Sequence, residues 1–454
     1  MSRPAQKRTA GFRHAGTILV LGFLGVILLG TALLALPASS ESGRSIGLAD
    51  SLFTAASAAC VTGLVAVDTA AAFTLFGQVV ILVLIQVGGL GFMVFATIIM
   101  VAIGKKISIR GRMLIRESMN GASLSDLGRV TWLYFLLSLA IETLGTIVLS
   151  LRFVPLFGWR HGVWMALFHA VSAFCNAGFD LFGNYSSLTA FAGDPLVLLT
   201  VAVLIILGGL GFAVILEALR SRQGFRNLSL HTRIVLLTTG GLLLAGTVFF
   251  WLAERTNPET LGPCGEGEKL LNAFFQSVTM RTAGFNSFNL SRLRDGSKAF
   301  SSVLMMIGAS PASTGGGIKT TSFAALVLLM LSVVRGENEV NVSRRRLSGD
   351  ITRRALAVAV LFLATLVTGT LMISFIENGR FSLGDIFFEA SSAMGTVGVS
   401  AIGTPALLPA SRMVLLPMMF LGRVGPLTLA AAVASRQGKN AAAARYPEER
   451  IMIG

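Results

Sequence analysis

Hydrophobic positions in this chain come in long unbroken runs, and charged positions are confined to short intervals between them. Residues 15–40 contain no charged side chain, and neither do residues 69–104. A helix of roughly 20 apolar residues crosses a hydrocarbon core of about 30 Å, so either run is long enough to span a bilayer. Four long apolar blocks alternate with five basic stretches, at residues 3–13, 105–116, 220–233, 335–354 and 436–450. Each block reads in the same order: a long apolar helix, a short apolar segment of about 12 residues, a glycine loop and a second long helix. The short segment cannot cross the membrane and reads as a re-entrant helix. The first apolar run exceeds the apolar core of a signal peptide and is followed by further spans, so a cleaved signal is not expected.

Self-similarity is therefore looked for directly. Four segments align without gaps, Phe53 to Gly63, Phe168 to Gly178, Phe274 to Gly284 and Phe388 to Gly398. Each carries a Phe 10 positions before its Gly, and successive glycines are 115, 106 and 114 residues apart. Asp50, Glu268 and Asp385 are expected just before three of the short segments, where a carboxylate caps a helix start and favours its dipole. The reading is an all-α integral membrane protein. It has four helix–pore-helix–filter–helix repeats in pseudo-fourfold arrangement, eight spanning helices and both termini cytoplasmic. The boundaries are a tail at 1–14, repeats at 15–104, 105–222, 223–335 and 336–436, and a tail at 437–454.

Composition agrees. The 454 residues are 54% hydrophobic and 13% charged, too little charge to cover a soluble surface of this size. The net charge of +15 would fit nucleic acid, but its confinement to alternate loops is the signature of cytoplasmic loops under the positive-inside rule. No nucleic-acid partner is expected; the lipid bilayer is. Of the three cysteines, Cys60 and Cys175 read as small packed residues, and Cys264 has no evident partner.

The glycine loops carry the chemistry. A non-helical loop at membrane depth leaves carbonyls unpaired at a cost of several kcal/mol each. A dehydrated cation replaces the lost partners, because carbonyl oxygens substitute for its water shell. The C-terminal end of a pore helix points negative partial charge at the same place, and glycine reaches backbone angles that a β-carbon disfavours. The expected cation site comprises Val61, Thr62 and Gly63; Asn176, Ala177 and Gly178; Thr282, Ala283 and Gly284; and Thr396, Val397 and Gly398. Small residues also allow close helix packing, but four glycines aligned after similar apolar approaches favour a filter.

With these loops stand Gln86 to Gly91, Gly208 to Gly211, Ser313 to Thr320 and Gly422 to Thr428. Together they make the chain similar to the Trk/Ktr/HKT superfamily of potassium transporters, most like the Ktr-type membrane subunit, over residues 15–436. In that family a glycine at all four filter positions implies potassium preference, and a serine at the first implies sodium; here the first is Gly63. The resemblance implies potassium as the transported ion, with sodium as a conceivable modulator. It also implies a homodimer and a cytoplasmic nucleotide-binding regulatory subunit ring. The setting it implies is a bacterial plasma (inner) membrane. The basic loops serve equally as docking surfaces for such a ring or as topogenic charge.

The second helix of the third repeat is abnormal. Gly308, Pro311, Ser313, Thr314, Gly315, Gly316, Gly317 and Lys319 fall inside what should be a continuous span. Pro removes a backbone donor, and each glycine costs about 1 kcal/mol in a helix. The segment is expected to obstruct the path below the filter and to act as a gate, as the resemblance also implies; a static kink is the plainer alternative. Arg423 is expected to face the cavity or anchor the gate, or else to snorkel at a helix end. Arg281 is expected to tie its loop to a carboxylate such as Glu389 or Asp68. Glu142 and His169 read as structural groups. A P-loop is excluded because Ile318 separates Gly317 from Lys319. A secondary transporter of another solute would show inverted repeats and one midplane site. An enzyme would need a metal or nucleophile motif that the sequence lacks.

Overall fold

The computed structural model describes residues 5–91, 127–221, 225–337, 339–342 and 345–426. The predicted C-terminal tail and the basic stretches at 105–116 and 436–450 lie outside the described residues. So do the lower part of the first repeat's second helix, Arg344, and the last residues of the motif at 422–428.

Four long helices lead the four blocks: Ala5–Leu34, Leu127–Phe157, Leu230–Glu254 and Gly349–Glu377. Among the described residues these four are long and apolar enough to cross a membrane. Only 22–28% of their most apolar windows is buried. Leu29, Leu144, Leu237 and Phe375 stand 63%, 63%, 65% and 80% exposed. Apolar side chains presented outward over this length are stable only against hydrocarbon. The outward faces of the leading helices are the membrane-facing surface.

The short helices have the opposite environment. They run Leu48–Ala59, Trp159–Phe174, Glu266–Thr279 and Leu383–Gly395, and their last turns are buried throughout. Of the three acids near their starts, two act differently from the caps expected of them, and Glu268 supplies the carboxylate of a capping box. Asp50 and Asp385 lie one turn inside, behind N-caps supplied by Gly47 and Ser382, and they pair with Arg412 at 2.8 Å and Lys298 at 2.7 Å. Glu268 folds back to accept the Gly265 N–H at 3.3 Å. They favour the helix dipole from the first turn, and in the first and fourth short helices an ion pair ties that turn to another element.

The returning helices are short or interrupted. The first runs Leu75–Leu90 and stops at Gly91 (φ +85°). The second is Pro195–Leu210, bent by 99° at Gly211 into Phe212–Arg220. The third is Asp295–Met306 and Thr320–Val334, separated by residues 307–319. The fourth is Pro409–Val424, stopping at Gly425 (φ +89°). Residues Asn341–Val342 and Arg345–Arg346 form a small antiparallel hairpin ahead of the fourth leading helix.

Glu142 and His169 are both buried and hydrogen-bonded inside the protein. Gln86 Nε2 donates to Glu142 at 3.0 Å. His169 Nδ1 lies 2.7 Å from the Met165 carbonyl while its Nε2 accepts the Leu181 N–H. All three cysteines are free, and Cys60 and Cys175 are buried.

Candidate ion pathway

Each short helix stops where its chain adopts left-handed angles twice within three residues. Val61, Asn176, Thr282 and Thr396 have φ of 54°, 58°, 73° and 52°, and Gly63, Gly178, Gly284 and Gly398 have φ of 92°, 70°, 88° and 94°. The first angle in each loop is costly for a residue with a β-carbon, so the surroundings must hold it. In three loops the same bond does so: Thr62, Ala177 and Val397 donate their N–H groups to Ser57, Ser172 and Ser392 carbonyls, each at 2.8 Å. Those serines also brace the far side of the loop. Gly63 and Gly398 N–H groups donate to Ser57 and Ser392 hydroxyls, and Ser172 donates to the Phe179 carbonyl.

The third loop departs by one residue. Ala283 donates to Thr279, and the Thr279 hydroxyl reaches the Phe285 carbonyl. The fully buried phenylalanine of its short helix is Phe275, whereas the aligned Phe274 is only half-buried. The gap-free alignment is therefore offset by one residue there, which two adjacent phenylalanines conceal.

The four loops meet in a closed ring. A β-carbon on Gly63 would collide with the Ala177 carbonyl, one on Gly178 would stand 2.8 Å from the Ala283 carbonyl, and one on Gly284 would stand 2.6 Å from the Val397 carbonyl. One on Gly398 would collide with the Thr62 carbonyl and close the circuit. Every glycine abuts the carbonyl just ahead of the next loop's glycine, in chain order. Behind the ring, Gly88, Gly208 and Gly422 of the returning helices press on the Ala59, Phe174 and Met394 carbonyls at the ends of the short helices. A side chain at any of these positions would push a returning helix away from the ring.

One face of the ring opens into a vestibule of about 400 Å³ lined by the four glycines and by Asp68, Asp180, Asn286 and Ser400. Asp180 lies just beyond its loop. Burial pushes its carboxyl up to about 7, against the Phe182 N–H that it accepts, and Asp68 nearby raises it further. Against the other face lies the interruption of the third returning helix, a loop stitched to its surroundings by hydrogen bonds. Gly308 and Ile318 bond across its neck at 2.9 Å. Beyond the neck, Ser310 and Thr314 donate to the Gly209 and Gly208 carbonyls, and Gly317 donates to Gly422. Gly315 and Gly316 lie directly against the hydroxyls of Thr282 and Thr396, where any β-carbon would clash. The Thr314 hydroxyl donates to the Phe174 carbonyl at 3.0 Å and lies beside the Asn176 amide, which in turn lies 3.0 Å from the Thr282 hydroxyl.

Arg423 bridges this segment to the first returning helix. Its guanidinium donates to the Thr314 and Gly88 carbonyls and, at 3.1 Å, to Gly89. Lys319 turns back onto its own segment, donating to the Gly315 carbonyl at 2.7 Å. Pro311 lies against Gly211, the bend of the second returning helix. The expectation for Arg281 is corrected: it meets neither Glu389 nor Asp68. Glu389 is occupied by the Ser400 and Thr404 hydroxyls, each at 2.6 Å, and Asp68 caps a turn at Ala70 and Ala71. Arg281 touches the Gly308 carbonyl instead, at 3.4 Å.

A family model described as TrkH, cation transport protein, matches residues 2–442. This chain belongs to the TrkH family of cation transport proteins. The chain is 40% identical over 437 residues to the Ktr system potassium uptake protein B of Bacillus subtilis, covering 96% of each. It is 41% identical over 452 residues to the protein of the same name from Vibrio alginolyticus, covering 99% of this chain and 97% of that one. The potassium/sodium uptake protein NtpJ of Enterococcus hirae is 37% identical, with 96% of each covered. The potassium transporter TrkH from Vibrio parahaemolyticus has the same fold, with a TM-score of 0.71 over 92% of this chain and 84% of that one at 17% identity. TrkH membership makes the chain a membrane transporter and not an enzyme. Sequence reasoning did not place Asp68 and Asp180 together beside the loop glycines, where both line the vestibule. Their signal was available, since each follows a loop glycine within five residues.

Proposed function

We propose that this chain is the ion-translocating membrane subunit of a potassium-uptake system in a bacterial inner membrane. The observation that carries the reading is the ring in which each loop glycine abuts the carbonyl of the next loop. A circuit of backbone carbonyls at the ends of four short helices is what a dehydrated monovalent cation needs in place of its water shell. The aligned loops and the recurring order of elements support four repeats around one pathway, with eight spans and both termini cytoplasmic. Residues 308–319, packed against Thr282, Thr396 and Asn176 and tethered by Arg423, act as the gate. The similarity to Ktr-system relatives supports a homodimer regulated by a separate cytoplasmic nucleotide-binding ring.

Potassium is the favoured cargo because glycine stands at all four filter positions. Sodium is the second reading, favoured by the similarity to a relative named for potassium and sodium uptake. Flux of potassium, rubidium and sodium into liposomes holding the purified chain decides between them. Uptake of potassium and rubidium with little sodium is expected; equal sodium uptake would overturn the selectivity, and no uptake of any of the three would overturn the transport reading.

A further inference from the structure

Arg281 carries a charge with no counter-charge. Its side chain is 8% exposed, and among the described residues it makes no ion pair. The contact to the Gly308 carbonyl, at 3.4 Å, is long for a hydrogen bond, and the Nε–H has no partner. A guanidinium has five donors and no acceptor, and it stays protonated in proteins. Cations inside a membrane protein are paired or face a cavity. Arg281 faces one.

That cavity, about 10 Å³, lies between Arg281, Thr239, Gly209 and Ala309, with Ile205 and Leu243 closing its sides. Thr239 is 7% exposed and its hydroxyl is unpartnered. Its neighbour on the same helix, Thr247, does what threonines in helices usually do and donates to the carbonyl four residues back. Two buried donors thus converge on one small space whose other walls are apolar. No carboxylate lines it.

We propose that this cavity binds a single halide-sized monovalent anion, the counter-ion of Arg281. The volume is at the lower limit for one water-sized occupant, so a halide enters only as the apolar side chains around it give slightly, and phosphate and organic acids are excluded. A water would accept both hydrogen bonds but leave the charge in place, and in a low-dielectric interior that charge is what an anion relieves. Arg281 stands three residues ahead of Gly284 and touches Gly308 at the start of the interrupted segment. The anion therefore sets how positive the wall beside the ring is and how firmly the guanidinium holds the neck of that segment. Cation flux is then halide-dependent, a consequence that rests on the transport reading, whereas the binding itself does not.

The full chain crystallised in bromide tests the binding through anomalous scattering. The expected result is a bromide peak in contact with Arg281 Nε and Thr239 Oγ1, lost in Arg281→Gln and weakened in Thr239→Val. No peak in the wild-type protein at saturating bromide, meaning a water occupies the space, would overturn the proposal. So would an undiminished peak in Arg281→Gln or, should that variant not fold, in Thr239→Val. In liposomes, replacing chloride by gluconate should lower labelled rubidium uptake several-fold in the wild type and leave any uptake by Arg281→Gln unchanged. Halide-independent wild-type uptake would sink the functional consequence. Absence of all cation uptake alongside a bromide peak would instead count against the transport reading alone.

Discussion

At the scale of single residues, the ring depends on what is missing from four α-carbons. An alanine at Gly398 would have to take φ near +94°, at about 1–3 kcal/mol of backbone strain, and would drive its β-carbon into the Thr62 carbonyl. Gly398→Ala should therefore displace the carbonyls on both sides of the joint. We expect potassium uptake in liposomes to fall by an order of magnitude or more while the protein still purifies as folded; near wild-type uptake would show that the ring is not the pathway. The glycines were legible because a special backbone angle forces one residue type at a fixed place. Arg281 was not. Its environment is decided by elements that pack around it from other parts of the chain, and Glu389, one of the carboxylates expected to meet it, is held by Ser400 and Thr404 instead. The offset in the third loop was hidden for a simpler reason: Phe274 and Phe275 are equally apolar, and only packing distinguishes them.

At the scale of elements, the second and third returning helices are interrupted, and both interruptions meet where Gly211 lies against Pro311. The interruption after Met306 was readable from Pro311 and three consecutive glycines. The bend of 99° at Gly211 was not expected, although Gly-Gly-Leu-Gly recurs at Gly88 to Gly91 and at Gly208 to Gly211. A glycine within a helix is ordinarily tolerated, so the sequence does not say which ones end it. Here the neighbouring segment decides, since a side chain on Gly211 would stand 2.7 Å from the Pro311 carbonyl. The interrupted segment is bonded to the second short helix, to the second and fourth returning helices and to the third and fourth loops, and Gly315 and Gly316 lie where no side chain fits. Deleting Gly315 to Gly317 removes the part that lies against Thr282 and Thr396. Basal uptake should rise several-fold in protein whose thermal unfolding matches the wild type; unchanged or lower uptake would leave the segment a structural strut.

At the scale of the whole molecule, the vestibule collects charge from separate blocks. Asp68 follows the first loop and Asp180 the second, and both face the space above the ring. Asp180 is pushed up to about 7 by burial and by Asp68. It is neutral when the outside pH is well below that value and carries its charge above it. Raising external pH from about 6 to 8 should thus increase cation uptake at subsaturating potassium through a more negative mouth. Asp180→Asn should flatten that rise. A pH profile identical in wild type and variant would remove Asp180 from the entry path.

The circuit through the four glycines also has a direction in time. It is closed by contacts between the first and last blocks, such as Arg412 with Asp50, 362 residues apart, and Arg423 with Gly88, 335 residues apart. A ribosome making this chain releases three of the four loops before the residue that completes the circle exists. Until then the Thr62 carbonyl has no Gly398 beside it, and the early blocks wait in the bilayer with one side of the ring open. Long-range closure of this kind is slow and leaves partly assembled states exposed. A chain that ends before the fourth block lacks every contact that closes the circle.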